Sequence, residues 1–316
     1  MQSIRSKIKS LLRSSRSNDC GSSKNNSLIV AIGSLSAQAQ LSNINAFEHL
    51  HQAEFRVYSQ WGEDGILNYI FNVLDITKPK IFEIGAANFQ ECNSRFAAEF
   101  RNASVYAVDL HPELVQEVQN MDISWKNHIF PVQDRVTPDN IQFHEAEARR
   151  LMSGIDVVSL DIDGNDYWCL KEMNLEGVSV VVVEVNPLFG TDISVTIPRN
   201  DYFDRSTAHH SNLYFGMSYM AATNLLEDKG FKCVGSNLAG NNIFYITEPL
   251  LHKFDRVLKN GIPRIGVSQW NVRESRDENG VLNFLTGQER INEISNCEIF
   301  DLESGALMKL QVALGM

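Results

Sequence analysis

Three carboxylates and an amide fall within one short run, Asp161-Ile162-Asp163-Gly164-Asn165-Asp166. Like charges crowded into so short a loop cost free energy unless a cation, a proton or a donor on a bound molecule compensates, so the run reads as a functional site rather than a solvated turn. Its glycine does not follow a third ligand, and no bidentate glutamate closes it, so it is not a calcium-binding EF-hand loop. Downstream, Glu184-Val185-Asn186-Pro187 adds a carboxylate and an amide. Asp161, Glu184 and Asn186 together offer the oxygen ligands that a hard cation such as Mg²⁺ takes, and they equally suit the positioning of a substrate hydroxyl. His209 and His210 bring two imidazoles into a polar, aromatic stretch. An imidazole titrates near neutrality and can take a proton from a hydroxyl, and His210 is the preferred candidate for that role.

A second group lies upstream, where Ile84-Gly85-Ala86-Ala87-Asn88 follows an apolar strand. Gly85 lets the backbone approach a ligand closely, and the next helix is expected to offer unpaired amides at its N-terminus. Asp109 ends the next strand 24 residues later, near the offset of about 20 residues at which an acid meets ribose hydroxyls in nucleoside-binding folds. Asp134 follows the third strand and is placed to accept from an adenine amino group. One glycine of GxGxxG is present, so a pyrophosphate is poorly accommodated. A nucleoside without phosphates, such as S-adenosylmethionine, has no such need, and this counts against NAD.

These residues need a frame that brings strand ends together. The spacing predicts a helix over Gly65–Leu74, stopped before Pro79, then a strand over Lys80–Ile84. A helix over Cys92–Arg101, a strand over Ser104–Leu110, a helix over Pro112–Gln119 and a strand over His128–Val132 follow. A helix over Phe143–Met152 precedes apolar strands over Asp156–Leu160 and Val178–Val185. Continuous Val-rich runs mean strands covered on both faces, and the alternation of strand and helix gives an α/β class: a Rossmann-like, doubly wound, mostly parallel sheet with helices on both faces. A helix over Ser218–Lys229 and strands around 231–234 and 242–246 are expected to form an antiparallel edge. Tyr167 and Trp168 are expected to open a helix and pack as core, while Phe189, Tyr202, Tyr214 and Phe215 could line a pocket.

The whole chain of 316 residues carries a formal charge of −11. That disfavours a nonspecific grip on nucleic acid, and a small-molecule or glycan partner is expected instead. Residues 1–24 differ, with six basic side chains and one acid. Ile4, Ile8, Leu11 and Leu12 recur among them at helical spacing, so this arm could touch a membrane surface or a partner protein. The apolar run at 28–32 is too short for a signal-peptide core of about 7–15 residues. The five cysteines are scattered and never spaced as CxxC, which points to neither disulfides nor zinc and to a reducing, cytoplasmic setting. The organisation read from these shifts is a basic, flexible arm over 1–45, the α/β domain over 46–250, and a C-terminal extension or lid over 251–316 packed on the same domain.

With these residues in view, the chain resembles class I S-adenosylmethionine-dependent methyltransferases, in particular the FkbM-like bacterial group associated with glycan and natural-product synthesis. The segments that carry the resemblance are Ser59-Gln60-Trp61-Gly62-Glu63-Asp64-Gly65-Ile66, Phe82-Glu83-Ile84-Gly85-Ala86, Glu91-Cys92-Asn93, Asp161 through Trp168, Glu184-Val185-Asn186 and Gly240-Asn241-Asn242. The resemblance implies a methyl donor seated over Glu83, Gly85 and Asp109, with Gln60, Asn88 and Asp134 around it, and an acceptor facing the 161–166 loop. It implies O-methylation of a sugar or other polyol hydroxyl, with His210 or Asp163 as base and Asp161, Glu184 and Asn186 positioning the acceptor, with or without Mg²⁺. The Asn88-Phe89 pair departs from the family, which commonly has an acid or glycine near that position. An NAD-dependent oxidoreductase and a catalytically silent binding module are the alternatives.

Overall fold

The Val-rich runs join side by side in one sheet, as burial on both faces requires. In a computed structural model, which describes residues 28–121, 125, 127–261 and 274–316, β1 (Lys80–Ile84), β2 (Ser104–Asp109), β3 (Ile129–Gln133), β4 (Val157–Leu160) and β5 (Val180–Glu184) pair in parallel. The two-residue strand β6 (Val195–Thr196) belongs to a second sheet. β7 (Phe231–Ser236) and β8 (Asn242–Thr247) complete the first, in the order β3-β2-β1-β4-β5-β8-β7. β8 is antiparallel to both β5 and β7. The antiparallel strand therefore lies one place in from the edge, and edge strand β7 runs with the parallel five. A dinucleotide-binding sheet has its sixth strand beside the fifth; here a reversed strand separates them.

Alternate residues of each strand feed opposite cores. Phe82, Ile84, Val158, Leu160, Val181 and Val183 face one side, and Ile81, Val157, Val180 and Val182 the other. Residues 28–42 are helical (α1), followed by α2 (Glu63–Leu74), α3 (Arg95–Arg101) and α4 (Leu114–Asn120). Apolar side chains of α2, α3 and α4 cover the second face. The first face is covered by α5 (Ile141–Met152) and α6 (Asp166–Glu172) and, after the one-turn helix α7 (Arg205–Ala208), by α8 (Tyr219–Asp228). α9 (Asp255–Leu258) returns to the second face through Val257. Several helices start later than their sequence pattern suggests. α3 begins at Arg95 rather than Cys92 because the amides of Asn93 and Ser94 are given to a carboxylate described below.

An arm reaching to residue 45 does not survive for the described part of it. Gln40 of α1 is buried, and its side-chain amide donates to the carbonyls of Ala53 and Gly65 and accepts from Asn68. In the sequence the apolar run at 28–32 is cut short by Gly33 and Ser34, and the helix is fastened by this polar anchor rather than by an apolar face. Residues 1–24, with the charge reading attached to them, lie outside the described residues.

The C-terminal stretch contributes α10 (Gln288–Ile294), β9 (Glu298–Asp301), β10 (Ala306–Lys309) and α11 (Leu310–Ala313). β9 pairs antiparallel with both β10 and β6, making a sheet of order β10-β9-β6. Ile294, Ile299 and Leu310 share an apolar cluster with Leu188, Phe189, Val195, Ile197, Leu213 and Tyr214. The last segment is thereby built into the 188–214 region. Among the described residues no helix is long and apolar enough to cross a membrane.

Candidate functional site

The order of the sheet reverses between β1 and β4, so the chains leaving their carboxyl ends diverge and a crevice opens there. Gly85 makes the crevice possible. Its φ is +93°, and a Cβ on it would stand 1.5 Å from the carbonyl oxygen of Asp161 at the end of β4. The two strand ends touch backbone to backbone at this point. Above them is a cleft of about 770 Å³ lined by residues from every parallel strand end from β1 to β4, a size usual for small-molecule sites.

On the β1–β3 side the cleft is lined by Gln60, Glu83, Gly85, Asp109 and Asp134. Asn88 is not among the lining residues; its side chain accepts from the amide of Gln90 and stays with its own turn. Glu83 is buried, and its carboxylate accepts from the amides of Asn93 (2.7 Å) and Ser94 (3.2 Å) and from the Ser94 hydroxyl. Burial raises its pKa against these donors. The amides expected to be unpaired at the next helix are thus filled by the protein's own acid, and Glu83 positions the 93–94 segment. Asp109 accepts from the amides of Ala87 and His111, both at 2.7 Å, which ties the glycine turn to β2. A carboxylate has about four acceptor positions, so two such bonds leave capacity for hydroxyls. Asp134 is 3.1 Å from His144 Nε2, and the Nδ1 of that buried ring meets the Tyr106 hydroxyl at 3.1 Å.

On the β4–β5 side the acidic loop is sorted by burial. Asp166 is buried and builds the loop, accepting from the amides of Ile162 (2.9 Å) and Gly164 (2.8 Å). Burial, with Glu184 and Asp163 adding repulsion, pushes its carboxyl up to about 7. Asp161 and Asp163 line the cleft. Carboxylate oxygens of Asp161, Asp163 and Glu184 lie within 4.8 Å of one another, a spacing that could hold a cation. Glu184 is buried and accepts from the Asn241 side chain at 3.2 Å. Asn186 does not join them. Its amide donates to the carbonyls of Leu213 and Phe215 and its oxygen accepts from the amide of Leu188, so as an expected metal ligand it is corrected to a loop brace.

Two expected bases change character. Asp163 forms an ion pair with Arg205, whose guanidinium stacks 3.9 Å over Phe215 and donates to the Asn212 carbonyl at 2.7 Å. One oxygen of Asp163 is thereby held by Arg205. His210 does not line the cleft; it pairs with Glu293 at 2.8 Å. The expectation that it faces the acceptor fails because its loop turns toward α10.

Several cleft residues carried no signal in the residue-by-residue reading. Arg205 sits in a four-residue helix and meets Asp163 only through tertiary packing. Trp61 Nε1 and Asn242 Oδ1 are buried without a hydrogen-bond partner, and both residues line the cleft. The acid of Glu63 holds both in place, accepting from the Trp61 amide and the Asn242 side chain, and also from Asn237. Asp64 shapes the preceding turn by accepting from the amides of Val57, Tyr58 and Ser59. The Ser59–Gly65 motif is therefore a brace that fastens α2 to the start of β8. An unsatisfied buried donor or acceptor costs about 1–3 kcal/mol.

No family model matches the chain, and no curated protein does. Solved structures show distant likeness. The N-terminal domain of EvdMO1 with SAH bound is similar over 60% of this chain and 82% of that chain, at 9% identity and a TM-score of 0.39. Fibrillarin of Aeropyrum pernix in complex with natively bound S-adenosyl-L-methionine is similar over 54% and 68%, at 15% identity and 0.33. The Methanococcus jannaschii fibrillarin pre-rRNA processing protein is similar over 54% and 67%, at 15% and 0.33. Likeness this distant leaves the activity of the chain to its own residues.

Proposed function

We propose that the protein is an S-adenosylmethionine-dependent methyltransferase acting on a hydroxyl of a sugar, glycan or related polyol. The observation that carries the reading is Glu83. In a dinucleotide site the helix after the first strand presents amides to a pyrophosphate; here a buried carboxylate holds the amides of Asn93 and Ser94 beside the cleft. A pyrophosphate would face that acid, whereas a cationic, phosphate-free nucleoside would be attracted by it. This supports the methyltransferase reading over an NAD-dependent oxidoreductase, and the inserted reversed strand β8 supports it too.

The residues fit the donor. Asp109 would accept from its ribose hydroxyls, Asp134 from its adenine amino group, and Gly85 would let its ribose lie against the backbone. Trp61 and Asn242 also line the cleft and would stand at its methionine end. S-adenosylmethionine supplies a methyl group already activated on a sulfonium, so the protein's task is to align the acceptor and remove one proton. Asp161, beside the glycine turn, is the residue assigned to accept that proton. A hydroxyl becomes far more acidic as its oxygen gains a carbon bond, and a carboxylate then suffices as base. Arg205 and Asp163 orient the acceptor on the opposite wall. Mg²⁺ is not assigned a role, because Asn186 is turned away and Asp163 is paired with Arg205. The FkbM-like group and the glycan acceptor rest on the motif resemblance.

Calorimetric titration with S-adenosylmethionine and with NAD, each in Mg²⁺ and in EDTA, tests the reading. Micromolar binding of the first, none of the second and no effect of the metal are expected; absence of S-adenosylmethionine binding would overturn it. Asp161→Asn is expected to leave donor binding nearly intact and abolish transfer. Loss of donor affinity in that variant would move Asp161 into the donor site.

A further inference from the structure

The two imidazoles that miss the cleft converge on a carboxylate from far along the chain. His210 Nε2 lies 2.8 Å from Glu293 Oε1. The His209 and His210 rings stand 4.4 Å apart, centre to centre, tilted by 31°. A ligand atom from each of His209, His210 and Glu293 falls within 4.8 Å of the other two. We propose that these three side chains form a site for a divalent transition metal of the Zn²⁺ type, outside the cleft, with water as fourth ligand.

The donor set selects the class of ion. Two imidazoles and one carboxylate suit Zn²⁺ and its neighbours, whereas Mg²⁺ and Ca²⁺ prefer oxygen alone. Bonds of about 2.0–2.1 Å in a tetrahedral shell hold donors roughly 3.3 Å apart. The imidazole–carboxylate pair need open only slightly, and the other separations close to fit. The outer shell is present too. His209 Nδ1 is 2.8 Å from the hydroxyl of Ser211, a fully buried residue, which fixes the ring. All three ligands are partly exposed, which gives an ion a way in.

The metal would join α10 to the loop that shapes the cleft. Glu293 lies on α10, and the 209–212 loop ends in Asn212, whose carbonyl holds Arg205, which in turn holds Asp163. The ion would thus position the acceptor-side wall without touching the acceptor.

Chelator-treated full-length protein titrated with Co²⁺ tests the proposal, because tetrahedral Co²⁺ has intense visible bands and octahedral Co²⁺ does not. One equivalent with tetrahedral bands, displaced by Zn²⁺, is expected. His209→Ala, His210→Ala and Glu293→Gln should each weaken uptake about tenfold or more, while Asp161→Asn leaves it unchanged. Glu293→Gln keeps a hydrogen-bond partner for His210, so circular dichroism and melting of that variant should match the parent and separate ligation from folding. Weak octahedral spectra, tetrahedral bands that survive Glu293→Gln and His209→Ala, or bands lost only in Asp161→Asn would each overturn the site.

Discussion

At the scale of single residues, neighbouring carboxylates divide into those that build the cleft and those that face it. Glu83, Glu63 and Asp166 spend their oxygens on amides of the chain, while Asp109 spends two bonds and keeps acceptor capacity toward the cleft. Asp109→Asn should weaken S-adenosylmethionine binding by about 1.5–3 kcal/mol, the worth of a charge-assisted contact. Titration calorimetry that found unchanged affinity would remove Asp109 from the ribose site. Asp166 makes a prediction in pH. Its carboxyl is raised from 3.8 to about 7, first by burial and then by its acidic neighbours. Folding therefore takes up a proton between those values, so its share of stability is full below pH 3.8 and is lost as pH rises through about 7. Asp166→Asn cannot ionise and orphans one loop amide, at about 1–3 kcal/mol. The melting temperature of the parent minus that of the variant should fall from pH 4 toward pH 7. Parallel curves would mean that Asp166 is ionised in the folded protein throughout.

At the scale of elements, the parallel strands and most of their helices were legible because hydrophobic period and Val-rich runs report burial directly. β6, β9 and β10 were not, since strands of two to four residues carry no periodicity of their own, and β6 meets β9 across about a hundred residues of chain. α1 escaped because its apolar run is cut short by Gly33 and Ser34 and the helix is fastened by the polar Gln40. The turn at Gly85 was legible as a glycine, but its purpose appears only where β1 and β4 meet. Gly85→Ala would place a Cβ 1.5 Å from the Asp161 carbonyl oxygen in a backbone region of φ +93°. Backbone in a central strand pair cannot step aside. The expected cost is at least about 3 kcal/mol in urea unfolding, from strain and overpacking together. A stable Gly85→Ala protein would show that the two strand ends stand further apart.

At the scale of the whole molecule, positive charge and exposed apolar side chains follow one another in the first 35 residues of the sequence. Residues 1–24 carry a local charge of +5 in a protein of −11. Directly after them α1 exposes Leu28, Ile29, Ile32 and Leu35, which helical spacing places on one face, while Ala37 and Gln40 turn inward. A basic segment beside an apolar stripe suits an anionic lipid surface, with part of the attraction screened by salt. The protein should sediment with phosphatidylserine vesicles at low salt, less at high salt, and not after deletion of residues 1–24. Failure to sediment at low salt would turn the search toward a protein partner for this face.

Sequence alone determined the α/β class and named the strand ends that come to line the cleft, because these depend on local period and on residue type. Tertiary structure alone decided which acid faces the cleft. Asp163 met Arg205, Asn186 met the carbonyls of Leu213 and Phe215, and His210 met Glu293. In each case the partner lies about 27 to 83 residues away. A side chain's chemistry is set by what surrounds it after folding, and no local pattern encodes a neighbour that distant.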